Sequence, residues 1–125
     1  MRLNEKKTSY IIFTRARQNF ATRLTLNGNL LERKNTIKLL GMWLQEDGGW
    51  GTNTKEICKR AYARVSLLTK LKYAGTGIED LVIVYKIYIR SRLEYNSVIF
   101  HSSLTQEQSD TLDQCEAVCL RIILQ

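Results

Sequence analysis

Six basic side chains lie within one stretch of the sequence that has helical spacing. They are Lys55, Lys59, Arg60, Arg64, Lys70 and Lys72, and with Glu56 as the only acid the stretch carries a net charge of +5. At about 100° per residue, one polar face collects Lys55, Lys59, Tyr62, Ser66 and Lys70. Cations beside hydroxyls and an aromatic ring suit contacts to phosphate and sugar, which position a duplex without reading its sequence. This face is therefore a candidate for nucleic-acid binding, and the alternative is an ordinary solvated helix face.

Arg64 differs from the other cations of this stretch because it falls in the apolar arc, beside Ile57 and Leu68. We expect its aliphatic part to cover apolar surface, or its guanidinium to pair with an acid such as Glu94. Further along the chain, Tyr85, Tyr88 and Tyr95 recur at helical spacing. That spacing favours positions in and around a core over a platform for stacking bases.

The residue types that hold metals or attack substrates are not arranged for either task. Cys58, Cys115 and Cys119 lack the paired spacing of a zinc site, and the last two, four residues apart, suit core packing. His101 is the only histidine, and the sequence contains no Asp-Asp pair. The sequence therefore predicts no metal site in this chain. Three cysteines without a pairing pattern are typical of a reduced, intracellular protein.

The formal charge of +7 favours a polyanionic partner, and the distribution of charge along the sequence indicates which part of the chain would bind it. Residues 1–72 hold 15 Lys and Arg against 5 Asp and Glu, a net +10, whereas residues 73–125 hold 4 against 7, a net −3. The basic surface therefore belongs to the first part of the chain. No signal peptide is expected after Met1, and the most apolar stretch, 81–89, is too short and too charged to span a membrane.

The elements that must position these residues begin with a short β-region. The run 10–13 is a candidate strand, and 24–31 alternates around Asn27-Gly28, which suits a type I′ turn. A third candidate strand covers 36–44, and in it Gly41 allows another backbone to approach closely or marks a β-bulge. Gly48 and Gly49 then end the β-region.

Three helices are predicted after this break. Asn53 with Glu56, Thr76 with Glu79 and Thr105 with Gln108 have the spacing of capping boxes. The first helix packs through Ile57, Ala61, Leu68 and Leu71 and ends at Gly75 and Gly77; the third packs through Leu112, Cys115, Cys119 and Ile122. The middle helix, 78–100, is apolar on two sides, so we expect it to lie between neighbours. The expected fold is α+β, with a short antiparallel β-region followed by a three-helix bundle.

The order of motifs resembles the end of a reverse transcriptase from a non-LTR retrotransposon of the jockey or CR1 type. The run Leu3-Asn4-Glu5-Lys6-Lys7-Thr8, followed by Ile11-Ile12-Phe13, is similar to motif D of that family. The stretch 36–44, with Leu40-Gly41 at its centre, is similar to motif E, the primer-grip hairpin. The thumb is resembled by Trp50, the helical run 55–64 with its end at 68–73, the helix that carries Tyr85 and Tyr95, and the tail 112–124. The resemblance covers nearly the whole chain.

This resemblance implies roles for particular residues. Residues 1–47 would be the end of the palm and 48–125 the thumb; Lys7 would donate a proton to departing pyrophosphate, and Leu40-Gly41 would approach the primer strand. The full-length family uses Mg²⁺, but the Asp pair that holds it, the fingers and the upstream palm have no counterpart here. We therefore expect this chain to bind an RNA–DNA or DNA duplex without a cofactor and without polymerising on its own.

A different interpretation makes the chain a non-catalytic interaction module. In it, the apolar middle helix packs on another polypeptide, and the basic helix face is merely solvated. In the polymerase interpretation the same helix packs on the missing palm or fingers. A basic protein of the membrane surface is disfavoured, because the basic helix lacks a bulky aromatic apolar face.

Overall fold

The computed structural model describes residues 3–15 and 22–125 and divides the chain into two compact units, Met1–Gly49 and Trp50–Gln125. All the strands of the described residues lie in the first unit, and helices build the second. The predicted α+β class is confirmed. The assignment of the two regions to a palm and a thumb stays a prediction.

Within its described residues, the first unit consists of three two-stranded sheets and a short 3₁₀ helix, Glu5–Lys7. Strand β1 (Ser9–Tyr10) pairs in parallel with β4 (Glu32–Arg33). The other two pairs are antiparallel: β2 (Thr25–Leu26) with β3 (Asn29–Leu30), and β5 (Thr36–Leu39) with β6 (Met42–Gln45).

The strand predicted at 10–13 is wrong for three of its four residues. Only Tyr10 belongs to a strand, because its partner β4 is two residues long and a strand continues only while a neighbouring backbone accepts its hydrogen bonds. Beyond it, the Thr14 backbone N–H donates to the carbonyl of Glu46 at 2.9 Å.

Both hairpins turn at residues with positive φ. Asn27 (φ 50°) and Gly28 (φ 81°) join β2 to β3, so the predicted tight turn is confirmed. The single strand predicted over 36–44 is wrong, because Leu40 (φ 48°) and Gly41 (φ 84°) reverse the chain between β5 and β6. The resemblance to motif E had implied a hairpin there. The alternative, a β-bulge at Gly41, does not form.

Helix α1 spans Gly51–Tyr73 and begins earlier than predicted. Its N-cap is Trp50, whose carbonyl accepts the Thr54 N–H at 2.9 Å, and Asn53 is buried inside the first turn. The Asn53–Glu56 capping box is therefore wrong. The predicted end is confirmed: Gly75 takes φ 86°, and the N–H groups of Gly75 and Thr76 donate to Lys72 and Leu71 at 3.0 and 3.2 Å, a Schellman motif.

The middle helix is interrupted, contrary to the continuous helix predicted over 78–100. It consists of α2 (Ile78–Val84), a π-helical segment (Tyr85–Arg90) and α3 (Ser91–Leu93), and after a break come α4 (Ser97–Phe100) and a 3₁₀ turn (His101–Ser103). The break occurs because Asn96 takes a left-handed conformation, φ 58°. The N-cap of α2 is Gly77, without a side-chain bond, so the Thr76–Glu79 capping box is also wrong.

The π-helical segment keeps one row of side chains in the core. Leu81, Tyr85, Ile89 and Leu93 recur every four residues, and all four are buried. In an α-helix each step of four residues rotates the direction by about 40°, so the row would leave the core after two or three steps. The wider turn of the π-helix compensates for this drift.

Helix α5 (Gln106–Leu124) closes the core of the second unit. Its predicted capping box is confirmed: Thr105 Oγ1 accepts the Gln108 N–H at 3.2 Å, and Gln108 Oε1 accepts the Thr105 N–H at 3.1 Å. Its buried side chains are Cys115, Cys119 and Ile123, which cluster with Ala61 and Leu68 of α1 and with the buried row of the middle helix. The predicted packing residues Leu112 and Ile122 lie half-buried at the edge of this core.

Candidate nucleic-acid interface

Three lysines of α1 face solvent along one side of the helix. Lys55, Lys59 and Lys70 are exposed, and none forms an ion pair within the described part of the chain. Fifteen residues separate the first from the last, so at 1.5 Å per residue the row extends about 22 Å along the axis. We call Lys55, Lys59 and Lys70 the lysine row.

The core fixes the direction of this row. Ala61 and Leu68 have no exposed surface, and Cys58 is buried, so their side of α1 faces the rest of the second unit. The lysine row falls about 120° or more from the Ala61–Leu68 side at 100° per residue. Packing of the core therefore turns these cations outward.

Tyr62 lies beside the lysine row and is close to Cys115. The side chain is 42% exposed, and partial desolvation and the neighbouring Cys115 raise the pKa of Tyr62. Burial raises the pKa of the Cys115 thiol, and the neighbouring Tyr62 partly offsets this effect. Tyr62 therefore adds a partly exposed aromatic side chain beside the lysine row.

Two other cations of α1 hold helices together. Arg64 Nη1 donates to the Tyr88 carbonyl at 2.6 Å, and its guanidinium lies 5.7 Å from the centre of the Tyr88 ring. The predicted Arg64–Glu94 pair does not form, because Glu94 binds Arg90 at 2.7 Å, one turn away on its own helix. Lys72 Nζ donates to the carbonyl of Ile122 in α5. Neither residue extends the lysine row.

Sequence reasoning missed Tyr73, the last residue of α1. It is 89% exposed and points in the same direction as Lys55, because eighteen residues make five full turns at about 100° per residue. Tyr73 therefore adds a second aromatic side chain at the far end of the lysine row. The spacing of eighteen residues between Lys55 and Tyr73 was the signal in the sequence that could have identified it.

The other predicted site residues belong to the first unit. Leu40 and Gly41 form the tip of the β5–β6 hairpin, where the Leu40 side chain is 81% exposed. On the same hairpin, Lys38 Nζ lies 5.9 Å from the centre of the Trp43 ring. Lys7 is exposed at the end of the 3₁₀ helix, which Asn4 caps through its side chain. Within this unit, Lys7 and the hairpin tip are contributed by separate elements.

The three cysteines meet in the core of the second unit. Burial raises the pKa of Cys58 and of Cys119 to about 11, and the neighbouring Cys115 adds to both shifts. At neutral pH these thiols are therefore protonated, which disfavours both attack on a substrate and metal coordination. Among the residues described here, no group of three or more His, Cys, Asp or Glu could hold a metal ion. The same residues contain no helix that is both long and apolar enough for a membrane span.

Comparisons of the chain with protein-family models, with curated proteins and with solved structures find no match.

Proposed function

We propose that this chain corresponds to the palm end and thumb of a non-LTR retrotransposon reverse transcriptase and that it binds template–primer duplex. The proposal rests on the order of the sequence motifs and, above all, on the lysine row. For this chain alone we propose binding without nucleotide addition, because the Asp pair that would hold catalytic Mg²⁺ is not in its sequence.

The lysine row supports the proposal because its charges are available. Exposed lysines that are not held in ion pairs can each neutralise a phosphate and release a condensed counterion. Three such contacts correspond to a slope of about −2.7 in a plot of log K against log salt concentration for B-form DNA. Contacts of this kind position a backbone, so we expect little dependence of affinity on base sequence.

The test measures duplex affinity as a function of salt. Fluorescence anisotropy with labelled DNA and RNA–DNA duplexes, from about 50 to 300 mM salt, yields the slope for the parent chain. The triple variant Lys55→Gln, Lys59→Gln and Lys70→Gln should flatten that slope by about 2.7 and weaken binding at low salt.

A matched control removes the same charge elsewhere. Arg23, Lys86 and Arg121 are exposed, form no ion pair within the described part of the chain, and lie outside the lysine row. Changing all three to Gln should leave most of the slope in place. Equal effects of the two triple variants would mean that net charge alone drives binding. A lysine-row variant that binds like the parent would refute the proposed interface.

The second candidate function is a non-catalytic protein-interaction module. It is favoured by exposed apolar side chains on and after the middle helix, among them Ile83, Ile87 and Val98, the last of which is 94% exposed. A palm or fingers region, or another polypeptide, could cover them. This function predicts weak duplex affinity at physiological salt and no selective effect of the lysine-row variant. Tight, salt-sensitive duplex binding that the lysine-row variant weakens selectively would exclude it.

A further inference from the structure

A cavity of about 390 Å³ opens beside the π-helical segment, away from the lysine row. Its lining consists of Arg64, Ile87, Tyr88, Ser91, Arg92 and Tyr95. The volume falls in the range of pockets that hold small molecules. Among the described residues, no acid lines the cavity, and two of the six lining residues are arginines. We call it the arginine–tyrosine pocket.

The two arginines retain donors for an anion. Arg64 uses Nη1 for the Tyr88 carbonyl, and a guanidinium has five N–H donors in a fixed fork, so others remain. Arg92 is exposed and forms no ion pair within the described part of the chain, since the nearby Glu94 is held by Arg90. A phosphate group has the geometry that such forks bind best.

Tyr88 and Tyr95 provide aromatic surface in the same cavity. They are 51% and 52% exposed, and Ile87 beside them is exposed as well. The Arg64 guanidinium lies 5.7 Å from the centre of the Tyr88 ring, and Tyr88 and Tyr95 line the same cavity, where they provide surface for a planar group. Stacking of a nucleobase on such a side chain does not depend on base identity.

We propose that the arginine–tyrosine pocket binds one unpaired nucleotide, with its phosphate on Arg64 and Arg92 and its base against the tyrosines. The inference deepens the proposed function, on which it rests, by adding a site for a single-stranded end. At 100° per residue, Arg64 lies about 120° to 180° from the three lysines, so the pocket and the lysine row are on different sides of α1. A duplex on the lysine row could therefore send an unpaired end around the helix to the pocket.

The first experiment isolates the pocket from duplex binding. NMR titration with adenosine 5′-monophosphate should shift the amide signals around residues 87–95, while adenosine and ribose 5-phosphate, each lacking one recognised group, should bind more weakly. Arg92→Gln should weaken the monophosphate about tenfold or more, because it removes a charge-assisted contact, and should leave adenosine nearly unchanged. Tyr95→Leu should weaken both adenosine compounds. Lys86→Gln, which removes a charge from the same segment outside the pocket, is the matched control.

The second experiment compares a blunt duplex with the same duplex carrying a five-nucleotide single-stranded overhang. The overhang should raise affinity, and Arg92→Gln should abolish this gain without changing blunt-duplex affinity. The proposed pocket would be refuted if the overhang still raised affinity in the Arg92→Gln and Tyr95→Leu variants. It would also be refuted if the overhang did not raise affinity and the monophosphate did not shift the amide signals. If the lysine-row variant binds blunt duplex like the parent while the monophosphate still binds, the proposed function fails and the pocket stands.

Discussion

The rotation of α1 about its axis can be tested with two adjacent leucines. Leu68 has no exposed surface, whereas Leu67 is 40% exposed, although both lie near the middle of the same helix. Leu68→Ala and Leu67→Ala remove the same atoms and gain the same helix propensity. Any difference between their effects on the free energy of unfolding therefore reports which side of α1 faces the core.

The expected difference follows from burial. Leu68→Ala removes a fully buried side chain and leaves a cavity among α1, the middle helix and α5, at a cost of about 3 kcal/mol within a range of about 2 to 5 kcal/mol. Leu67→Ala exposes less new surface and leaves no enclosed cavity, so its cost should be about 1 kcal/mol or less. With a urea dependence of about 1 to 3 kcal/mol per molar, a loss of 3 kcal/mol lowers the midpoint by about 1 to 3 M.

Urea unfolding followed by far-ultraviolet circular dichroism measures both costs, because the helices dominate that signal. Costs in the reverse order, with Leu67→Ala the larger, would mean that α1 is rotated by about 100° from the orientation described. The lysine row would then no longer face solvent, and the proposed interface would lose its physical basis.

Three further predictions concern backbone conformation and the buried thiols. Gly75→Ala should lower the free energy of unfolding by about 1 to 2 kcal/mol, because Gly75 has φ 86°; an added methyl group would meet no atom within 4 Å, so the cost comes from the backbone conformation. Gly77→Ala, at an ordinary φ of −62°, should cost little, and urea unfolding compares the two variants. Leu40→Asn should stabilise the β5–β6 hairpin by about 1 kcal/mol, since Asn tolerates positive φ better than Leu. Amide hydrogen exchange of that hairpin measures the change in its stability, and slower exchange in the parent than in the variant would contradict the prediction. Burial raises the pKa of Cys58 and of Cys119 from 9.0 to about 11, so above pH 9 the unfolded chain loses protons that the folded chain keeps. The free energy of unfolding should therefore be at its full value below pH 9 and fall between pH 9 and 11, by at most about 1.4 kcal/mol per pH unit for each thiol, and a flat profile would contradict the burial of these thiols.

Periodicity predicted the helices better than short motifs predicted their ends. Three pairs had capping-box spacing, and only Thr105 with Gln108 forms the box. Asn53 has the same spacing but lies inside α1, because Trp50 begins the helix three residues earlier. Spacing alone cannot show where the preceding chain first enters the helix, and that entry depends on tertiary packing.

The hairpins illustrate the same limit for turns. Asn27-Gly28 was predictable because both residue types adopt positive φ at little cost. Leu40-Gly41 makes a turn with similar angles, but Leu rarely adopts them, so the residues indicated a continuous strand and only the family resemblance implied a hairpin.

The sequence predicted those parts of the candidate site that lie on a single helix. The lysine row depends on the phase of α1, which the pattern of apolar residues sets. The arginine–tyrosine pocket was not predicted, since it requires Arg64 of α1 and Arg92 of α3 to lie beside the same tyrosines. The repeat of Leu81, Tyr85, Ile89 and Leu93 at four-residue intervals was the available signal for the π-helical segment that lines it.

The π-helical segment also determines how this unit responds to a change in chain length. In an uninterrupted α-helix, Leu93 would point about 80° away from Tyr85, and one inserted or deleted residue would turn everything beyond it by about 100°. Here both residues stay buried because the wide turn absorbs the surplus locally. Removing one residue between Tyr85 and Arg90 would therefore turn the segment into an ordinary α-helix and leave Leu93, Arg92 and Tyr95 pointing in nearly their present directions. A single-codon deletion would thus alter only the turn that carries Ile87 and Tyr88, and related chains that are one residue shorter at this point should keep the buried row but differ in that part of the pocket lining.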